Sequence, residues 1–345
     1  MKAVRVLQHG APSDAIAVQD VPVPEVEPGG VRIAVAAASL NFGDIARCRG
    51  GVASVMAQPP FTLGMDVCGV VEAAGDGAEQ WVGRRVVGIC DQSLGGMAEM
   101  ALVTQARVFD APAELSDVEA AAFTLPFHIG YLALHKRAQI AAGETLLVVG
   151  GASAVGTALI QLGVAAGAHV IAVAGGPEKG ALCRELGAEL AIDHRTEDIF
   201  DKVMEHTNGR GVEVACDLYG GEGTESVWTC MALGGRYVAV GFNDDPQSGL
   251  TGRPLRKVSM GNFSVLGVIL MYGAVPLDFR RFGLNPFPTE VGIEVHQALC
   301  QLVTQGAIKP VVGREVGFDD VASALEDHEH RRTSGRTVLH VGGAQ

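Results

Sequence analysis

The pattern of hydrophobic and polar positions is most regular between residues 145 and 270. Short apolar runs such as TLLVVG and HVIAVAG alternate there with longer stretches of helical periodicity, of which ASAVGTALIQLGVAAG is the first. Continuous apolar runs of about five residues are typical of parallel strands that are covered on both faces. Since about six such runs follow one another, we predict an α/β domain with a doubly wound parallel sheet.

Both ends of the chain differ from this region. The N-terminal segment consists of short β-like runs broken by Gly and Pro, which indicates an irregular β-rich fold. The sequence SDVE places Ser116 at a candidate N-cap and Glu119 three residues later, the capping-box spacing that predicts the start of a helix. The C-terminal segment returns to short strands and helices. We expect residues 1–124 and 271–345 to form one domain and residues 125–270 to form the other.

Composition narrows the possible functions. Of the 345 residues, 48% are hydrophobic and 19% are charged, which is enough apolar material for two cores. A net charge of -13 argues against a nucleic-acid partner, because binding to phosphate needs clustered Lys and Arg. We expect neither a signal peptide nor a membrane-spanning segment and predict a cytoplasmic protein. The seven cysteines are scattered singly, which favours reduced and mostly buried thiols.

A glycine-rich turn follows the first apolar run of the central region. If Gly151 and Gly156 are the first and third glycines of a dinucleotide fingerprint, then Ser153 occupies the second position. Backbone N–H groups at such a strand-to-helix turn, here including Ala154 and Val155, bind pyrophosphate with the help of the helix dipole. The Ser153 hydroxyl either caps the helix or contacts phosphate. The alternative is a tight turn without a ligand.

The second apolar run, HVIAVAGG, ends around Gly175 without Asp or Glu. A carboxylate at this point accepts hydrogen bonds from the 2′-hydroxyl of NADH and repels the 2′-phosphate of NADPH. Lys179, His194 and Arg195 are candidate donors or positive charges for that phosphate. We therefore predict NADPH as the cofactor, the alternative being that these three side chains are ordinary surface residues.

Segments from almost the whole chain resemble the medium-chain dehydrogenase/reductase superfamily, and in particular its zinc-free quinone oxidoreductases of the zeta-crystallin type. These segments are MKAV at the start, SLNFGDIARCRG, LGMDVCGVV, the ASAVG turn and TSGRTVLHV near the end. The resemblance implies a Rossmann domain plus an irregular, β-rich, GroES-like catalytic domain formed from both chain ends.

The same resemblance implies that the zinc sites of the related alcohol dehydrogenases are missing. Those enzymes have a cysteine where this chain has Asn41 and a histidine where it has Met65. Amide and thioether groups are poor ligands for Zn²⁺. The closely spaced cysteines of the structural zinc site are also missing from the sequence after Cys90. We therefore expect no metal.

In zinc-free relatives the asparagine that matches Asn41 contacts the nicotinamide, and the resemblance carries this role to Asn41, with Asp44 supporting its loop. The alternative for Asn41 is a structural Asx turn. Asp66 matches an acidic position beside the missing histidine, where it is either functional or structural. Asn41 and Asp44 are thus the first two candidate catalytic residues.

The tyrosine that relatives often carry shortly after SLNFGD is absent from this sequence. The nearest candidates for polar contacts to a substrate are Tyr131 and His128 in LPFHIGYLAL, and Tyr272 in LMYG. We take Tyr131 as the third candidate catalytic residue. For His128 the alternative is a buried, structural histidine.

Loops at the carboxyl ends of the later strands are expected to contact the cofactor as well. These loops are Leu218 to Gly220 and Gly241 to Asn243, and the candidate residues in them are Leu218, Gly241, Phe242 and Asn243. Gly and Asn are also common in tight turns that bind nothing.

These observations predict an NADPH-dependent reductase that transfers hydride to a quinone or a similar conjugated carbonyl compound. A quinone needs little help from a general acid, because its reduced oxygens are acidic. Two alternatives stay open: reduction of a C=C bond in an alkenal or enoyl thioester, and a non-catalytic NADPH-binding protein. The apolar run FSVLGVIL, as an edge strand, predicts a homodimer in which the edges of two Rossmann sheets pair.

Overall fold

A computed structural model describes residues 1–51, 57–240, 256–274, 277–281 and 283–342, apart from the side chains of Glu222 and Phe279. Within it the chain divides into two compact units. The first comprises Met1–Leu125, Met271–Cys300 and Pro310–Gln345, and the second comprises Pro126–Leu270 and Gln301–Lys309. Residues 301–309 therefore group with the second unit, whereas the sequence-based division assigns them to the domain that holds the chain ends.

The first unit is mainly β-structure, as the short alternating runs predict. Its strands are β1 (Lys2–Val6), β2 (Ile16–Asp20), β3 (Gly30–Ser39), β4 (Phe61–Thr62), β5 (Asp66–Ala74), β6 (Arg85–Ile89), β7 (Met100–Thr104), β8 (Val108–Asp110), β15 (Val312–Val316) and β16 (Arg336–His340). Its helices are α1 (Pro12–Ala15), α2 (Phe42–Cys48), the first part of α3 (Asp117–Tyr131), α9 (Leu277–Arg281), α10 (Thr289–Thr304), which ends in the second unit, and α11 (Val321–Glu329).

Strand β3 is the centre of this unit. Seven strands form a mixed sheet in the order β15-β16-β3-β5-β6-β8, with β7 also pairing with β3, and a smaller sheet has the order β2-β1-β4. Alternate residues of β3, including Val31, Ile33 and Val35, are buried in the core. Since β5 and β16 pair with β3 on opposite sides, residues at the ends of these three strands come together.

The second unit is a doubly wound parallel sheet, which confirms the predicted fold class. Its strands are β9 (Thr145–Val149), β10 (His169–Ala174), β11 (Leu190–Asp193), β12 (Val212–Asp217), β13 (Met231–Ala239) and β14 (Ser264–Gly267). Its remaining helices are α4 (Ala154–Ala165), α5 (Pro177–Glu185), α6 (Ile199–His206), α7 (Thr224–Thr229) and α8 (Arg256–Gly261). The six strands lie in the order β11-β10-β9-β12-β13-β14. This order reverses between β9 and β12, and such a switch point opens a crevice at the carboxyl ends of the strands.

Local sequence signals of helix starts and buried thiols are confirmed. The Ser116 backbone N–H donates to Glu119 Oε2 at 2.9 Å, and the Glu119 N–H donates to Ser116 Oγ at 3.2 Å, so the capping box forms the start of α3.

All seven cysteines are free thiols, and six of them are buried. No helix within the described residues is long and apolar enough to cross a membrane.

Candidate active site

The glycine turn between β9 and α4 is tight enough to exclude side chains. Gly150 has a φ of +90°, in the left-handed region that favours glycine. A Cβ added to Gly156 would lie 2.1 Å from the carbonyl oxygen of Gly150, and one added to Gly151 would lie 2.9 Å from the Cβ of Ala172. The turn therefore brings the start of α4 directly against the end of β9, which is the arrangement that a pyrophosphate requires.

Ser153 caps the helix that follows the turn. Its hydroxyl donates to the carbonyl oxygen of Gly150 at 2.8 Å and accepts from the Gly156 N–H at 3.1 Å. The first N–H groups of a helix have no acceptor within it, and in α4 these belong to Ala154 and Val155. The backbone of the first turn, rather than the Ser153 hydroxyl, is thus the expected phosphate contact.

The side chains of His194 and Arg195 lie over the end of β10. A Cβ added to Gly175 would be 2.9 Å from both His194 Nε2 and Arg195 Nε, so these three predicted residues are together. Lys179 is half-buried in the first turn of α5. The structure thus brings two basic side chains to the place where a dinucleotide fold reads the ribose of its cofactor.

A carboxylate near this place was missed from the sequence. Asp193 ends β11 opposite Ala174 in the register of the sheet, and its Oδ1 accepts the Arg195 backbone N–H at 3.1 Å. Hydrogen bonds from the backbone N–H groups of Gly176 and Arg195 lower the pKa of Asp193. The Asp193 carboxylate accepts hydrogen bonds from the backbone and lies beside the side chains of His194 and Arg195. Its negative charge opposes binding of a 2′-phosphate, whereas the two basic side chains favour it, so the cofactor preference depends on the sum of these two effects. Only the pairing of β10 with β11 brings Asp193 to this point.

A buried carboxylate holds the loop that begins with Leu218. Asp217 Oδ1 accepts the N–H groups of Tyr219 and Gly220, each at 2.9 Å, and its Oδ2 accepts the Tyr237 hydroxyl at 2.7 Å. Burial and the nearby Asp217 charge raise the pKa of Tyr237, which keeps this hydroxyl a donor. Asp217 was not identified from the sequence, since nothing in VEVACDLYG shows that its side chain turns back onto the loop.

The ring of Tyr219 lies against the glycine turn. A Cβ added to Gly150 would be 2.7 Å from Tyr219 Cε2, so the absence of a side chain at Gly150 makes room for the ring. Tyr219 is 42% exposed, and it therefore offers a surface beside the turn. It lies within the loop Leu218 to Gly220 that is expected from the sequence to contact the cofactor, and the structure makes its ring the candidate contact of that loop.

In the first unit, Asn41 is the centre of a buried polar network. Its Nδ2 donates to Asp66 Oδ1 at 2.8 Å and to the carbonyl oxygen of Ser39 at 3.3 Å. Arg336 Nη2 donates to both carboxylate oxygens of Asp66, at 2.9 Å and 2.8 Å. Asp66 is completely buried, and Asn41 and Arg336 are 5% and 3% exposed. In the described part of the chain, no three His, Cys, Asp or Glu side chains converge on a point where they could bind a metal ion.

The pairing of β3 explains why these residues meet. Asp66 precedes Val67, which pairs with Ala38 on one side of β3, and Arg336 begins the strand that pairs with Ser39 on the other side. Their side chains converge just beyond the end of β3, where Asn41 is the N-cap of α2. Arg336 was missed from the sequence because it lies 270 residues from Asp66.

Asp44 supports the start of α2 from a buried position. Its Oδ2 accepts the backbone N–H of Asn41 at 2.8 Å, and its Oδ1 lies 3.6 Å from Arg47 Nη1. Oδ1 finds no hydrogen-bond donor among the described residues. Burial outweighs the Arg47 charge and raises the pKa of Asp44 to about 6.

This pKa predicts a pH dependence of stability. Because the value in the fold lies above the ordinary 3.8, the folded chain holds the Asp44 proton more tightly, and stability is lost as pH rises from about 4 to 6. Asp44→Asn retains an oxygen for the Asn41 N–H and does not ionise. From pH 4 to 7 we expect the free energy of unfolding of the variant to rise by up to about 3 kcal/mol relative to wild type. Denaturant titrations across this range test it, and a pH-independent difference contradicts it.

The remaining predicted site residues do not belong to the polar network around Asn41. Tyr131 belongs to the second unit, where its ring packs tilted against His135 with the ring centroids 4.3 Å apart. His128 is completely buried, in line with the structural alternative. Tyr272 is only 2% exposed and packs edge-on against Phe109, so the expectation that it reaches a substrate is wrong. The predicted contacts Gly241, Phe242 and Asn243 lie outside the described residues.

Comparisons with known proteins agree with this architecture. Residues 27–113 match the family described as alcohol dehydrogenase GroES-like domain, and residues 154–283 match the family described as zinc-binding dehydrogenase. The chain is 31% identical to quinone oxidoreductase-like protein 2 homolog of Nematostella vectensis over 315 residues, which cover 90% of this chain and 81% of that protein. It is 30% identical to rat quinone oxidoreductase over 332 residues, 96% of this chain and 94% of the relative.

Solved structures show the same fold. The quinone oxidoreductase of Thermus thermophilus, also solved with NADPH, is 31% identical with a TM-score of 0.78, over 99% of this chain and 100% of that one. A mycobacterial protein solved with NADPH is 25% identical with a TM-score of 0.84, over 99% of each chain. The chain belongs to the zinc-independent quinone oxidoreductase-like proteins of the medium-chain dehydrogenase/reductase superfamily. It is an oxidoreductase of this family.

Proposed function

We propose that this protein reduces a quinone or a similar conjugated carbonyl compound with NADPH and without a metal. The observation that carries the proposal is the glycine turn together with the two basic side chains over Gly175. When bound, NADPH supplies a hydride from C4 of its nicotinamide ring. The N–H groups of Ala154 and Val155 hold the pyrophosphate, and His194 and Arg195 hold the 2′-phosphate with Lys179.

The class of the electron acceptor is inferred from which side chains could donate a proton to it. Hydride transfer to an enoyl C=C bond also requires a proton on carbon, whereas the reduced oxygens of a quinone are acidic and need little help. Of the candidate donors, His128 is completely buried and Tyr272 is 2% exposed. This favours a quinone, as do the relatives named quinone oxidoreductase. Tyr131 remains a candidate for contacts to the substrate.

The test is a titration of metal-stripped protein with NADPH and with NADH, followed by fluorescence, and then addition of a benzoquinone. We expect tighter binding of NADPH and its rapid oxidation by the quinone. Oxidation by a long-chain enoyl thioester but not by quinones supports the C=C reductase instead. Binding without oxidation by any acceptor supports a non-catalytic protein, and no binding of either cofactor overturns the proposal.

Arg195→Ala tests the choice of cofactor. The variant loses one charge-assisted hydrogen bond to the 2′-phosphate, so its Kd for NADPH is expected to rise about tenfold while its Kd for NADH stays unchanged. The control is Lys202→Ala in the same unit. This lysine also carries a positive charge, but it pairs with Glu197 and Glu205 at the surface. Equal changes in both Kd values would show that Arg195 shapes the loop and does not read the phosphate.

We further propose a homodimer through β14. This strand is the last in the order of the sheet, and its Val265 and Leu266 are half-buried. It is shorter than the run FSVLGVIL suggests, since it ends at Gly267 opposite Ala239, the last residue of β13. An edge strand is protected when a second copy pairs with it. Light scattering at micromolar concentration is expected to give the mass of two chains, and the mass of one chain removes the proposal.

A further inference from the structure

We infer that Gln92, in the turn Asp91–Leu94, contacts the substrate and donates a hydrogen bond from its side-chain amide to a carbonyl oxygen of the quinone. The inference rests on the proposed function, because it takes a conjugated carbonyl compound as the substrate. In the sequence this segment stands out only because it lacks the cysteines of a structural zinc site.

The backbone of the turn is the first observation. Gln92 (φ 54°, ψ 13°) and Ser93 (φ 59°) are both in the left-handed region. The Leu94 N–H donates to the carbonyl oxygen of Asp91 at 3.1 Å, so the four residues form a turn of the type I′ class, which has positive φ at both central positions. Such turns normally have Asn and Gly there, because most other side chains are strained at positive φ. Gln and Ser are therefore an unfavourable choice for this turn.

Other left-handed residues of the chain have a local explanation that this turn does not have. Four further non-glycine residues with positive φ stand singly just after a helical segment, where a left-handed residue ends the helix; they are Gln139, Asn208, Asn262 and Arg331. Gln92 and Ser93 instead follow strand β6. In the part of the chain that the structure describes, they are the only two consecutive residues of this kind.

Contacts on both sides hold the turn in this conformation. The Asp91 carboxylate accepts from Thr104 Oγ1 at 2.6 Å and from Arg107 Nη1 at 3.2 Å. Just beyond the turn, the Gly95 N–H donates to the carbonyl oxygen of Thr62 at 3.0 Å. Strained residues persist only where their surroundings fix them, and such places are concentrated at binding and active sites. The strain is thus a reason to look for a ligand of this turn.

The turn lies at the end of the sheet that holds Asn41. Ile89, the last residue of β6, pairs with Asp66, whose Oδ1 accepts from Asn41 Nδ2 at 2.8 Å. The Cys90 N–H donates to the carbonyl oxygen of Met65 at 2.7 Å, so the turn begins next to the start of β5. Strand pairing within the first unit therefore brings the strained turn to the same end of the sheet as a candidate catalytic residue.

The chemistry of the two strained side chains selects Gln92. Gln92 is exposed, whereas Ser93 is half-buried. A carboxamide has two N–H donors and does not ionise. Both electrons reach the quinone with the hydride, and negative charge develops on its carbonyl oxygen until water supplies a proton. A hydrogen bond from Gln92 stabilises this charge, and Gln92 itself gives up no proton.

The experiment compares two exposed glutamines with left-handed backbone. Gln139 (φ 50°) is the matched control, because it precedes β9 and so lies at the amino ends of the parallel strands, opposite the crevice. Gln92→Gly and Gln139→Gly each remove an amide, and glycine adopts positive φ without strain. This relief offsets the larger entropy that glycine loses on folding, so neither variant is expected to lower the thermal midpoint of unfolding.

A second substitution keeps the size of the side chain and removes only the donor. Gln92→Glu and Gln139→Glu replace the NH₂ group by a carboxylate oxygen. We expect Gln92→Gly to lower kcat/KM for benzoquinone about tenfold, the effect of one hydrogen bond, and Gln92→Glu to lower it at least as much. The Kd for NADPH is expected to stay unchanged in all four variants, and the two Gln139 variants are expected to keep wild-type kcat/KM.

The outcomes separate this inference from the proposed function. Wild-type kcat/KM in Gln92→Gly or in Gln92→Glu overturns the inference even though quinone reduction is then confirmed. A thermal midpoint that falls by several degrees in Gln92→Gly but not in Gln139→Gly also overturns it, because the turn is then not strained. If wild type binds NADPH but reduces no quinone, the proposed function fails and the inference falls with it. Losses confined to the two Gln92 variants support the inference.

Discussion

Gly156→Ala is expected to abolish tight cofactor binding. The new Cβ would lie 2.1 Å from the carbonyl oxygen of Gly150 and 2.8 Å from the carbonyl carbon of Gly151. Both atoms belong to the backbone of the turn, so α4 has to move away from the end of β9, and its first N–H groups move with it. Overpacking of this kind costs about 1–3 kcal/mol, and we expect the Kd for NADPH to rise about 100-fold.

The control for this variant is Gly223→Ala in the same unit. Gly223 has a φ of -70°, which alanine adopts readily, and a Cβ there would meet no atom within 4 Å. Both variants are measured by fluorescence titration with NADPH and by chemical denaturation. Wild-type affinity in a folded Gly156→Ala protein would show that the close approach of α4 to β9 is not needed for binding.

Arg336→Met is expected to destabilise the first unit by about 3–5 kcal/mol. The substitution leaves the carboxylate of Asp66 buried without its cation, and an uncompensated buried charge is the costly case. The double variant Asp66→Leu with Arg336→Met removes both charges, so it is expected to recover most of the loss. A surface pair provides the control: Arg314→Met breaks one contact to Asp327 and is expected to cost less than about 1 kcal/mol.

The two tryptophans of the chain allow this measurement to be made unit by unit. Trp81 lies in the first unit and Trp228 in the second. In a Trp228→Phe background, denaturation followed by fluorescence reports the unit that contains Arg336. A loss of less than about 1 kcal/mol in Arg336→Met would mean that water reaches Asp66 and that the pair is not buried as described.

The local parts of the fold were predictable because they depend on neighbours in the sequence. The six parallel strands follow from continuous apolar runs, and the start of α3 follows from Ser116 and Glu119, whose hydrogen bonds span three residues. The glycine turn was found because Gly151 stands between a strand and a helix and Gly156 lies in the first turn of that helix. Asn41 and Asp44 were found through a resemblance in SLNFGD, not through any pattern of polarity.

The predictions that were wrong, and the residues that were missed, depend on where segments distant in the sequence meet in the fold. Tyr272 was expected near the substrate, but the packing of its ring against Phe109 makes it a core residue. Asp193 lies beside the end of β10 only through the register of β10 and β11. The strand expected from FSVLGVIL ends at Gly267 because its partner β13 ends opposite it at Ala239.

By itself, then, the sequence determined the class of fold, the position of the glycine turn and the two basic residues that lie over Gly175, since short-range periodicity and glycine geometry depend on neighbours along the chain. The tertiary structure alone decided the surroundings of Asn41. Asp66 and Arg336 are 270 residues apart, and they meet because β5 and β16 pair with opposite sides of β3. The direction of an amide depends on which of its neighbours accept hydrogen bonds, and those neighbours are chosen by strand pairing.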